Sequence, residues 1–188
     1  MQPLEDKLKR LIFVTGSPGT GKTTILLKVA EELKTRGYKV GGMVSQEIRE
    51  KGIRVGFEIL DYASGRKGWL AHINQPTGPQ VGKYRVNLKD LNRIGVIAIL
   101  DALNDTDVVV IDEIGPMELL SESFKNAVKK AVYSSRPVLA TVHYRAQPAF
   151  IRQVKARDDA ETVEVTPENR NQLALTIVEK VVYCIKKC

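Results

Sequence analysis

Apolar residues fall along the chain in two rhythms, and their alternation predicts the architecture. Leu11 to Thr15, Val108 to Ile111 and Val138 to Val142 are short, almost uninterrupted apolar runs rich in Val and Ile. Runs of that length and composition predict strands buried on both faces. Between them, apolar positions recur at helical spacing. Ile25, Leu26, Val29, Ala30 and Leu33 form one such stripe, which stops at Gly37. Leu88, Leu91, Ile94, Gly95 and Ala98 form a second behind Asn87 as cap, ending before Asp105 to Asp107. Phe124, Ala127, Val128 and Ala131 form a third within Ser121 to Tyr133. Pro148 opens a further short helix, and a strand at Thr162 to Val165 leads through Thr166 and Pro167 into a helix reaching the C-terminus.

Between Lys39 and Arg85 the rhythm changes. Ile53, Val55, Phe57 and Ile59 alternate with Arg54, Gly56, Glu58 and Leu60 between glycine-containing turns, which predicts a hairpin or meander attached to the sheet, an insert over about residues 39–86. Phe57 in that alternation is expected in the core, and Trp69 is expected to anchor packing. No internal repeat and no Gly/Ser linker divides the chain, so residues 1–188 are expected to form one domain. Strands alternating with helices predict an α/β fold in three layers, a mainly parallel sheet with helices on both faces. Ligands then sit at the carboxyl ends of its strands.

Composition adds limits. The chain has 188 residues, 43% apolar and 27% charged, enough for a single covered core and without a disorder-prone tract. Its apolar runs are far short of the ~20 residues of a membrane span, and the charged stretch Met1 to Arg10 is not followed by a secretory-type apolar region, so a cytoplasmic, soluble protein is expected. Cys184 and Cys188 lie on one helical face without a completing His or Cys cluster, and are expected to be reduced thiols. The formal charge of +7 permits nucleic-acid contact, but Lys and Arg are spread without an aromatic-interleaved block. An anionic small substrate accounts for part of that charge as well.

The decisive motif follows the first strand. Gly16-Ser17-Pro18-Gly19-Thr20-Gly21-Lys22-Thr23, with Thr24 next in line, fits G-x-x-x-x-G-K-[ST] between a strand and a helix, the context a phosphate-binding loop requires. The glycines let successive N–H groups turn toward one anion, and the helix N-terminus adds the positive end of its dipole. Lys22 supplies an ammonium for the β- and γ-phosphates, and the Thr23 hydroxyl is a ligand for Mg2+. The second apolar strand ends in Asp112 and Glu113. An acid at that place is expected to hold the metal, and a second carboxylate beside the γ-phosphate is expected to orient and activate water. Gly115 completes the turn behind them.

With these residues in place, the chain resembles the small thermophilic-type, or cancer-related, nucleoside-triphosphatase family of P-loop proteins over nearly its whole length. The likeness rests on Gly16 to Thr23, Ser45-Gln-Glu-Ile-Arg49 with Arg54-Val-Gly-Phe57, Val81-Gly-Lys-Tyr84, Asp112-Glu-Ile-Gly-Pro-Met-Glu-Leu119 and Thr166-Pro-Glu-Asn-Arg170. It implies a slow Mg2+-dependent hydrolase that converts ATP, GTP and other nucleoside triphosphates to diphosphate and phosphate. Some members carry lysine where this chain has Pro116, so a charge-stabilising role falls to another residue. Arg49 and Arg54, flanking the Glu50-Lys51-Gly52 turn, are the candidates. Asn169 and Arg170 are candidates for the base or ribose, and His143 and Tyr144 for sensing the γ-phosphate. Two other readings stay open at this point: a small P-loop kinase, with the insert as acceptor pocket or lid, and a nucleic-acid-associated ATPase, which the charge permits but does not favour.

Overall fold

The computed structural model describes residues 8–144 and 148–187. Its centre is a nine-stranded sheet in the order β5-β6-β4-β3-β2-β7-β8-β1-β9. The strands are β1 (Leu11–Thr15), β2 (Val40–Glu50), β3 (Ile53–Asp61), β4 (Lys67–His72), β5 (Gln80–Val81), β6 (Tyr84–Val86), β7 (Val108–Ile114), β8 (Val138–Val142) and β9 (Ala160–Glu164). β2, β7, β8, β1 and β9 run parallel, and β3, β4, β6 and β5 continue the sheet with antiparallel pairs.

Side-chain parity along the strands divides the core into two layers. Leu11, Phe13, Val109 and Ile111 point to one face, with Ile99, Phe124 and Val128 packed over them. Ile12, Val14, Val108 and Val110 point to the other, covered by Leu26, Val29, Ile177 and Val181. The helices are α1 (Lys22–Thr35) and α6 (Arg170–Lys187) on the second face, and α3 (Ile97–Asp105), α4 (Glu122–Tyr133) and α5 (Ala149–Lys155) on the first. A three-residue α2 (Leu88–Asp90), capped by the Asn87 side chain accepting from Asp90 N, runs into α3 through a π-helical turn at Leu91–Val96. Ser121 caps α4 in the same manner, accepting from Phe124 N. The expected three layers are therefore present, and no described helix is long and apolar enough to cross a membrane.

Three expectations need correction. The first part of the supposed insert belongs to the parallel sheet: Val40 to Val44 pairs with Val108 to Asp112 on β7, and only the continuation of β2 turns to β3. The pair Gly41-Gly42 interrupts the apolar run and hides it. Gly42 has φ +128°, and a Cβ there would lie 2.0 Å from the Val110 carbonyl oxygen, so only glycine lets β2 approach β7 this closely. Ile53 does not alternate inward; it is exposed beside the β2–β3 turn, beyond the helices' cover. Trp69 is 45% exposed, edge-on to His72 at 5.0 Å, rather than anchored in a core. Cys184 is buried on α6, its Sγ donating to the Lys9 carbonyl at 3.2 Å, and Cys188 lies outside the described residues.

Candidate active site

β1 ends at Thr15 and the chain turns sharply through Gly16 to Gly21 before α1 begins at Lys22. Gly16 (φ +149°) and Gly21 (φ +101°) hold conformations that L side chains rarely adopt. A Cβ at Gly16 would also lie 2.9 Å from the Val165 carbonyl oxygen. The loop is closed by Thr20, whose amide and hydroxyl both donate to the Ser17 carbonyl, at 3.2 and 2.9 Å. The Lys22 ammonium reaches back across the mouth to donate to the Gly16 carbonyl at 3.1 Å.

Parallel register brings the second acidic strand to this loop. Asp112 at the end of β7 is 1% exposed and accepts hydrogen bonds from Thr23 Oγ1 at 3.1 and 3.0 Å and from Thr141 Oγ1 on β8 at 2.5 Å. Burial raises its pKa to about 6, a shift that the two hydroxyls oppose. Glu113 is partly buried; burial raises its pKa and the neighbouring Lys22 charge lowers it. Glu118, on a 3-10 turn (Glu118–Leu120), is 4% exposed, and burial raises its pKa to about 8. Gly115 lets the two glutamates converge: a Cβ there would lie 2.9 Å from Glu113 Oε1 and 3.0 Å from Glu118 Oε2.

These groups open into one cleft of about 690 Å³. The phosphate loop, Asp112, Glu113, His143 and Tyr144 line it together with Arg49, Arg54 and Phe57. Both arginines are held by Glu47, at 2.7 Å for Arg49 and 2.6 Å for Arg54; Arg49 also donates to Gly52 O, and Arg54 to Tyr84 Oη at 3.0 Å. Phe57 is partly buried and packs against the core, as expected, lies edge-to-face on Tyr84 at 5.2 Å and also lines the cleft. Asn169 and Arg170 do not line it. The Asn169 carboxamide accepts from Thr166 N at 2.9 Å and donates to Glu164 O at 2.8 Å, fastening the connection from β9 to α6.

A family profile described as NTPase matches residues 11–178. The chain belongs to this family. It is 51% identical over 86% of its length, and 89% of the relative's, to nucleoside-triphosphatase THEP1 of Thermofilum pendens. To the same-named protein of Methanosarcina acetivorans it is 46% identical over 90% of this chain and 95% of that one. Among solved structures, THEP1 of the hyperthermophile Aquifex aeolicus superimposes with a TM-score of 0.79 at 29% identity, covering 91% of this chain and 98% of that one. A human cancer-related nucleoside triphosphatase superimposes with a TM-score of 0.76 at 33% identity, covering 92% and 97%. The fold is thus that of the NTPase family, and the resemblance seen in the sequence motifs holds over nearly the whole chain.

Within this NTPase site, sequence reasoning assigned no role to three kinds of residue, although Ser45, Gln46, Val81, Met117 and Glu118 stand in the motifs that carry the resemblance. Thr141 is the one polar side chain in the run Val138 to Val142, next to the strand that bears Asp112; a lone hydroxyl in a buried strand was the available signal. Glu118 was marked only by its place in the stretch Asp112 to Leu119; taken by its local pattern, a lone glutamate ahead of a helix reads as solvated. Ser45, Gln46, Leu70, Val81 and Met117 join the cleft only because β2 bends past β7 and carries the antiparallel strands over it.

Proposed function

We propose that this member of the NTPase family hydrolyses ATP, GTP and other nucleoside triphosphates to diphosphate and phosphate with Mg2+, at low turnover and with little base preference. The observation that carries the reading is the convergence of Lys22, Thr23, Asp112 and Glu113 in a single cleft. The donor set fits magnesium. Thr23 and Asp112 are hard oxygen ligands meeting at 3.0 Å, and the hydrogen-bond partners of the buried Asp112 carboxylate are hydroxyls. Thr23 and Asp112 are the residues that would hold the ion. Bound there, Mg2+ would supply charge neutralisation to the phosphates.

The chain's own groups do the rest. Loop amides and the α1 N-terminus cradle the phosphates, Lys22 leaves the Gly16 carbonyl for the γ-phosphate, and Thr141 fixes the Asp112 carboxylate. Glu113 accepts the proton of the attacking water; its raised pKa brings it closer to the operating pH than an exposed carboxylate. At least one of Arg49 and Arg54 stabilises charge as the γ-phosphoryl group departs, and Glu47 holds both within the cleft wall. An arginine in that role is worth about 10³- to 10⁵-fold in turnover. The substrates are cytoplasmic metabolites, and that is the compartment we assign.

Phosphate release from ATP, GTP, CTP and UTP, with and without Mg2+, tests the reading. Comparable release from all four, abolished by chelation, is expected; release confined to one base contradicts the breadth, and release unaffected by chelation contradicts the metal. Single Arg49→Ala and Arg54→Ala variants locate the cation. Unchanged turnover in both removes the arginines from the reaction.

A further inference from the structure

Cations that are spread along the sequence are in part gathered by the fold. α4 and the turn after it carry Lys125, Lys129, Lys130 and Arg136, and α5 and the turn after it carry Arg152, Lys155 and Arg157. The two helices share one face of the sheet and touch. The Lys129 ammonium sits over the Phe150 ring at 5.9 Å, and the Arg157 guanidinium over the Tyr133 ring at 4.6 Å. Lys9 and Arg10, entering β1, join the C-terminal ends of both helices: Arg10 donates to the Val132 and Arg136 carbonyls, and Lys9 to the Asp158 carbonyl. Those ends lie where the strands begin, whereas the nucleotide cleft opens where β1 and β7 finish, and none of these side chains lines it.

This face is poorly neutralised. Residues 9–10, 122–136 and 148–159 hold nine Lys and Arg against three acids, Glu122, Asp158 and Asp159, while the other 20 cations of the chain meet 19 acids. Glu122 is taken by Lys125 at 2.5 Å, and Asp159 by Arg10 at 2.8 Å and Arg157 at 2.9 Å. Lys129, Lys130, Arg136 and Lys155 form no ion pair among the described residues. On α1 and α6, by contrast, Arg36 bridges Glu32 and Glu179, and Lys180 pairs with Glu161. Like charges on adjoining helices repel, and a bound polyanion removes that repulsion. Tyr133 stands 75% exposed among them, the one large apolar side chain that α4 and α5 expose among the described residues. An open aromatic ring among unpaired cations matches a strand whose phosphates meet ammonium groups and whose unpaired bases stack. A duplex offers phosphates but no free base faces, and a membrane surface calls for a broader apolar stripe than one tyrosine.

We propose that the α4–α5 face binds single-stranded nucleic acid, with Lys129, Lys130, Arg136 and Lys155 on its phosphates and a base stacked on Tyr133. The surface is separate from the nucleotide cleft, so it stands or falls independently of hydrolysis. Four phosphate contacts set the salt dependence: at about −0.7 per phosphate for a single strand, the logarithm of the association constant falls against that of salt concentration with a slope of roughly −3.

The test is fluorescence anisotropy of the full chain with labelled oligo(U), oligo(dT) and a DNA duplex of equal length over a series of salt concentrations, beside co-sedimentation with vesicles of phosphatidylserine and phosphatidylcholine. At least one single strand should bind more tightly than the duplex and the vesicles, and the two strands tell RNA from DNA. Lys130→Gln combined with Lys155→Gln should roughly halve the salt slope and weaken binding. Tyr133→Leu keeps an apolar side chain without a ring; it should weaken binding roughly tenfold at an unchanged slope, as loss of a base–aromatic stack does. Both variants replace side chains outside the cleft, so phosphate release from ATP should match that of the parent chain. No binding of either strand at low salt overturns the proposal and leaves hydrolysis standing, and absent phosphate release with strand binding intact does the reverse. Duplex or vesicle binding as tight as that of the single strands, a salt slope unmoved by the lysine variants, or binding undiminished in Tyr133→Leu also overturns it.

Discussion

Glu118 shows how one side chain ties stability to the site. Its carboxyl is buried and its pKa is raised from 4.5 to about 8. Below about pH 4.5 folded and unfolded chains both hold the proton; above it the unfolded chain releases the proton first. Stability from this group is therefore complete at low pH and declines as pH rises toward 8, by at most about 1.4 kcal/mol per pH unit. Urea unfolding at a series of pH values should show Glu118→Gln gaining on the parent chain across that window; a constant difference contradicts the assignment. Thr141→Val keeps the β-branched shape but removes a donor from Asp112, a loss of about 1 kcal/mol. The Mg2+ concentration for half-maximal phosphate release should rise several-fold, and an unchanged requirement would separate Thr141 from the metal. Asp112 and Glu113 were legible because acids closing an apolar run are conspicuous. The roles of Thr141 and Glu118 were not, because their significance depends on which strand lies alongside and which turn folds back, and neither is written in local spacing.

Among the elements, the boundaries of β1, β8 and α4 followed from apolar runs and from one helical stripe, since each buries a face against the sheet and the pattern records that burial, whereas β7 continues past the expected Ile111 to Ile114 through its two acids. β2 was hidden for the converse reason. Its parallel half contains Gly41 and Gly42, chosen for close approach and not for burial, and its second half leaves the covered part of the sheet. Gly42→Ala should cost about 3 kcal/mol or more, since it combines a backbone strain of about 1–3 kcal/mol with a collision against β7. A thermal midpoint within a degree or two of the parent would show that β2 can move away from β7. On the other face, Leu26 is fully buried between α1 and the sheet, so Leu26→Ala should lower unfolding free energy by about 2–5 kcal/mol in the same measurement. Because α1 begins at the phosphate loop, nucleotide with Mg2+ should recover part of that loss by binding only the folded chain.

At the scale of the whole molecule, the parallel half of the sheet supplies the phosphate loop and the acids, and the antiparallel half supplies the arginines and part of the cleft's apolar lining. The first half is common to many P-loop proteins and names only the ligand. The second decides what the γ-phosphate meets. The central claim is that Glu113 activates the attacking nucleophile at a site where Lys22, Thr23 and Asp112 already hold the nucleotide. Its most direct test is Glu113→Gln, an uncharged replacement of the same size, examined for nucleotide affinity and for phosphate release in one preparation with Mg2+ and ATP. Affinity should stay close to that of the parent chain while turnover falls by about 10²- to 10⁴-fold, the usual contribution of a positioned base. Turnover unchanged in that variant, or lost only in proportion to affinity, would contradict the account.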